Sequence, residues 1–114
     1  MTSKLVTLLC AVFLVSAADA APGAVSDPAA IQVQTLNNSL LKSMQAGPAI
    51  SATERYKQLE PVIAQVFALP LVTRLSVGPD WATFSPEQQQ ALIGAFTRFT
   101  VANYVHNFHA YDGQ

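Results

Sequence analysis

The chain has 114 residues, of which 51% are hydrophobic, and its seven acidic and six basic side chains leave a formal charge of −1. That balance, with no clustered basic footprint, excludes nucleic-acid recognition, which needs such a patch to meet phosphates. The length allows one small domain, in which folding buries only about two-thirds of the extended surface.

Residues 1–20 read as an export signal. Lys4 supplies a positive start, Leu5 to Ala18 form an almost unbroken apolar run, and Ala18-Asp19-Ala20 offers small residues at both cleavage-determining positions, so cleavage is expected after Ala20. The apolar run is about 14 residues long, whereas a helix needs roughly 20 to cross a bilayer core, so no permanent anchor is expected. Cys10 sits inside that run behind Thr7-Leu8-Leu9, a context that lacks the small residues of a lipidation site. It is the only cysteine, so the segment after cleavage has no intramolecular disulfide to rely on and must be held by packing. That segment keeps Lys42, Arg55, Lys57, Arg74 and Arg98 against Asp27, Glu54, Glu60, Asp80, Glu87 and Asp112. Residues 21–29 read as a linker, small-residued over Ala21 to Ser26, and 30–114 as one helical domain.

Asp27-Pro28 predicts an N-cap followed by proline at the first helical position, and Gly47-Pro48 the stop. Between them Val33, Leu36, Leu40 and Met44 fall at helical spacing on one stripe, with Gln34, Asn38, Lys42 and Gln45 opposite. Ser51 with Glu54 predicts a capping box and a second helix. Pro61 lacks a backbone donor and crowds the preceding turn, so a kink or fresh start is expected there, and again at Pro70. The expected result is a set of short pieces, Val62 to Leu69 and Leu71 to Val77, closed by Gly78-Pro79 and together forming a curved wall. Ser85-Pro86-Glu87-Gln88 combines an N-cap, an N1 proline, an acid at the positive helix end and a capping-box glutamine. A long helix is predicted from Pro86 to about His109. Its inward stripe is Leu92, Phe96, Tyr104 and Phe108, widened by Ala95, Phe99 and Ala102. Tyr111-Asp112-Gly113 is a turn signal with nothing after it, which suggests a chain stopping in mid-fold. The fold class of the residues given is therefore all-α, several short kinked helices and one long one.

Several ordered segments resemble the MlaC family, also called the toluene-tolerance auxiliary family, and its hopanoid-associated HpnM branch. They are Arg55-Tyr56 through Leu59-Glu60-Pro61-Val62, Val66-Phe67-Ala68-Leu69-Pro70-Leu71, Arg74-Leu75-Ser76-Val77-Gly78 with Trp81, and Phe84-Ser85-Pro86-Glu87-Gln88 leading into Leu92 to Tyr104. Phe108 and Tyr111-Asp112-Gly113 match the place where family members leave the long helix for their first strand. The resemblance covers about Ala30 to the end. It implies that the helices are one half of a cystatin-like or nuclear-transport-factor-like α+β fold whose sheet is missing from a truncated record. It also implies a periplasmic carrier that holds the acyl tails of a phospholipid, or a hopanoid in the HpnM branch. The implied partners are an ABC-transporter complex in the inner membrane and a lipoprotein–porin complex at the outer membrane.

Leu92, Phe96, Phe99, Tyr104 and Phe108 are the candidate cavity lining, although a periodic aromatic stripe by itself is core. Tyr104 and Tyr111 carry hydroxyls suited to the boundary between an apolar cavity and a polar headgroup. Arg74 is a candidate for a lipid phosphate or for a structural cap, with the structural role favoured, and Trp81 for an anchor with a bonded indole N–H. His106, His109 and Asp112 have metal-ligand side chains, but only two would share a helical face, so solvated or capping roles are expected and no metal or cofactor. With no Gly-x-Ser-x-Gly elbow, no His-Glu-x-x-His, no phosphate loop and no cysteine after the signal, an enzyme is not expected. An exported helical interaction module that binds no lipid remains the alternative.

Overall fold

The computed structural model describes residues 27–113. The signal, its cleavage site and the linker up to Ser26 lie outside the described residues. Within them the chain is mostly helical and has no strand: α1 is Pro28–Ala46, α2 Ala52–Val66, α3 Leu69–Val77 and α4 Pro86–Asn107, with 3₁₀ turns at Gly47–Ala49 and Gly78–Thr83. The all-α expectation holds. Pro28 and Ala29 belong to α1 rather than to the linker.

Local chemistry starts and stops these helices. Asp27 Oδ1 accepts from the backbone N–H of Ala29 at 3.0 Å and so caps α1. Ser85 and Gln88 complete a reciprocal capping box at the start of α4, with bonds of 3.2 and 2.8 Å. The box expected at Ser51 is only half formed: Ser51 Oγ accepts from the Glu54 N–H at 3.1 Å, but the Glu54 carboxylate turns forward and accepts from Gln58 Nε2 instead. Gly47 and Gly78 sit at φ 50° and 76°, where a side chain would be strained, and these positions end α1 and α3.

The prolines separate into two kinds. The fresh start expected at Pro61 does not occur, and α2 runs on through it. Pro61 and Lys57, whose carbonyl loses its helical donor, both lie on the exposed face, where water can satisfy that carbonyl. Pro70 would deny the donor to the carbonyl of Val66, and α2 ends at Val66. Phe67 is extended, Pro70 falls in the first turn of α3, and the following helical segment departs at 73° from α2. The curved wall is thus made by one sharp bend.

Helix α1 packs on α2, α2 on α4, and α4 on α3. The two inner helices supply the residues with least exposure, Leu59 and Ile63 from α2 and Val101 from α4, with Leu36, Leu40 and Leu69 completing the core. Several of the predicted stripe positions are outside it, Ala95 and Ala102 among them. Val33 is 55% exposed and Phe99 65% exposed. The buried face of α4 is centred on Val101, flanked by Phe96, Tyr104, Val105 and Phe108. Among the described residues no single helix is long and apolar enough to cross a membrane.

Candidate functional site

An open groove of about 1010 Å³ lies on the described surface. One side is the turn after α1 and the first half of α2, with Gly47, Pro48, Ile50, Ala52, Thr53, Arg55, Tyr56, Lys57 and Glu60; the other is the last two turns of α4 and its exit, with Ala102, Val105, His106, His109 and Ala110. Its volume is at the upper end of the roughly 300–1,000 Å³ usual for ligand pockets. Its walls are chiefly apolar carbon and its polar groups sit on α2 and at the end of α4, a division suited to an amphiphile.

A polar relay joins the two sides. Arg55 is 3% exposed. Its Nη1 donates to Ser43 O and, at 2.8 Å, to Ser43 Oγ, while Nη2 donates to Gly47 O. Ser43 Oγ in turn donates to Phe108 O at 2.9 Å, where α4 ends. A buried charge is costly unless it is hydrogen-bonded, and here the compensation comes from the negative end of α1 rather than from a carboxylate. Arg55 therefore closes the C-terminal end of α1 and, through Ser43, holds the exit of α4 beside it.

Behind the groove an aromatic ladder stiffens the wall. Tyr104 lies 5.9 Å from Phe67 and 5.5 Å from Phe108 between ring centres, the second pair nearly parallel at 16°. Tyr56, half-buried in the groove, has its phenol pKa raised above the ordinary value, first by burial and then by the negative charge of Glu60, while Arg98 pulls it the other way. His109 Nδ1 is 2.5 Å from His106 O, and because a carbonyl only accepts, Nδ1 carries the hydrogen.

A family model described as MlaC protein matches residues 34–114. The chain belongs to the MlaC family. No curated protein and no solved structure matches it. The MlaC family is one of periplasmic phospholipid-binding proteins.

In this MlaC-family chain the predicted lining residues are spread over three environments. Phe96, Tyr104 and Phe108 are half-buried against the core, Leu92 lines a shallower depression of about 350 Å³ with Phe84, Gln88 and Ala91, and Phe99 faces out. None of the five lines the large groove. Arg74, exposed near the end of α3, contributes its carbonyl to the Gly78 N–H, and Tyr111 is 44% exposed beyond α4. Trp81 anchors its turn differently from expectation: its backbone carbonyl accepts from Gln89 Nε2 at 3.0 Å, and no hydrogen bond of its indole N–H is found among the described residues. Sequence reading missed Arg55 as a site residue. Apart from its place in the Arg55-Tyr56 family motif, its signal was an arginine four residues after an N-cap serine on the apolar side of α2, in step with Leu59 and Ile63.

Proposed function

We propose that this chain is a periplasmic lipid carrier, exported by residues 1–20 with cleavage after Ala20, that binds phospholipid acyl tails and shuttles lipid between the outer and inner membranes. In this role it is the soluble component of an ABC-transporter system, with an inner-membrane transporter complex and an outer-membrane lipoprotein–porin complex as its partners, and it performs no bond chemistry. The support is the chiefly apolar groove between α2 and the end of α4 in a chain of the MlaC family. Moving an acyl chain into water costs about 0.8 kcal/mol per CH₂, so two long tails amount to roughly 20 kcal/mol, and a carrier is useful because it offers an apolar surface in place of water.

In this reading Ile50, Ala102, Val105 and Ala110 meet the tails. Phe96, Tyr104 and Phe108 support the helices by packing on the core, while Leu92 and Phe99 lie outside the groove. The test is to purify the exported protein without detergent from its own periplasm, extract it with organic solvent and quantify lipid per chain. About one phospholipid per molecule supports the carrier reading, and hopanoid in its place would identify that branch. A chain that is folded and free of lipid overturns the reading in favour of a helical interaction module.

A further inference from the structure

We infer that the groove selects amphiphiles with an anionic headgroup, Arg55 supplying the buried countercharge and Lys57 the charge at the rim. This rests on the groove being the lipid site. Arg55 lines the groove, is 3% exposed, and carries a permanent charge met by three neutral oxygens, Ser43 O, Ser43 Oγ and Gly47 O. A guanidinium has five N–H donors, so these three acceptors leave donors over.

The surrounding charges do not cancel it. Lys57 and Glu60 also line the groove, one of each sign, which leaves the charge of Arg55 in excess. On the opposite wall His106 and His109 line the groove. Asp112, past the end of α4, does not line the groove. An anion placed there meets one desolvated and one exposed cation, and charge-assisted hydrogen bonds are about twice as strong as neutral ones. A phosphate monoester on an alkyl chain has the required chemistry: the tail lies against Ile50, Ala102, Val105 and Ala110 while the phosphate faces Arg55 and Lys57.

The experiment compares three probes with the same dodecyl tail, carrying a phosphate, a phosphocholine or a maltoside head, each titrated below its micelle-forming concentration against the delipidated exported protein, with inorganic phosphate as a fourth arm. Dodecyl phosphate is expected to bind about tenfold or more tightly than the zwitterionic and neutral probes, the step of one charge-assisted hydrogen bond. Inorganic phosphate is expected not to bind. Lys57→Gln, at an exposed position where folding is unaffected, is expected to lower the preference about threefold or more, and Arg55→Lys to lower it further where the variant folds. Equal binding of the three probes overturns the inference and leaves the groove reading intact, as does a preference that Lys57→Gln does not alter. Inorganic phosphate binding as tightly as the tailed phosphate also overturns it, because the tail would then contribute nothing. No probe binding at all overturns the groove reading itself.

Discussion

Ser43 on α1 donates its hydroxyl hydrogen to the carbonyl of Phe108, 65 residues later in the chain, at 2.9 Å. The same hydroxyl accepts from Arg55, so one small side chain connects three helices: the last turns of α1, the buried face of α2 and the exit of α4. Ser43→Ala removes both bonds without changing the shape of the core, leaving the Phe108 carbonyl to find water and Arg55 with one acceptor fewer. A loss of about 1–3 kcal/mol is expected in urea unfolding, with faster amide exchange confined to the last turn of α4. Unchanged stability and exchange would show that the relay does not hold α4.

Phe96 and Phe99 are equivalent in a reading of the apolar stripe but not in the fold. Phe96 packs against the core cluster, and Phe99 is 65% exposed. Phe96→Ala is therefore expected to destabilise by about 2–3 kcal/mol, somewhat below the roughly 3–5 of a fully buried phenylalanine. Phe99→Ala should stay within about 0.5 kcal/mol. Denaturant midpoints at constant slope measure both, and equal losses would place the two rings in one environment.

Ala102 is exposed and lines the groove without belonging to the core. Ala102→Trp fills that side of the groove with an indole and is expected to reduce lipid recovered with the purified protein by more than half, while the thermal midpoint moves by only a few degrees. Full lipid content in the variant would mean that the tails lie elsewhere.

Tyr56 gives the fold an alkaline limit. Its phenol is raised from the ordinary tyrosine value, mainly by burial and next by Glu60. The neutral form is thus the one the fold favours. The contribution is fully present below the unfolded pKa and is lost as pH rises through the folded one, in the range above about 10. Titration of phenolate absorbance, read as the difference from Tyr56→Phe, should show the Tyr56 phenol ionising above the ordinary tyrosine range. Glu60→Gln should bring it part of the way back, since burial remains, and Tyr56→Phe should abolish that part of the alkaline loss. An unperturbed Tyr56 titration would contradict the contact with Glu60.

The amino-acid sequence by itself determined where helices begin and end. Asp27-Pro28, Ser85 with Gln88, Gly47 and Gly78 act within a few residues of themselves, and all four behave as their local chemistry requires. It also carried the MlaC likeness, because ordered motifs are a property of the chain rather than of its packing. Tertiary structure decided which positions on each helix are inside. Val33 and Phe99 have the right spacing but face away, because a stripe about one-third of the circumference wide is narrowed by the actual neighbour on that side. It decided between two prolines of identical chemistry, since Pro61 lies where water can satisfy the carbonyl it leaves open, while at Pro70 the chain bends instead. The groove and its buried Arg55 came from the fold in the same way. Ser43, Gly47, Arg55 and Phe108 become one group only when the ends of α1 and α4 are brought against α2, a distance in space that no spacing along the chain encodes.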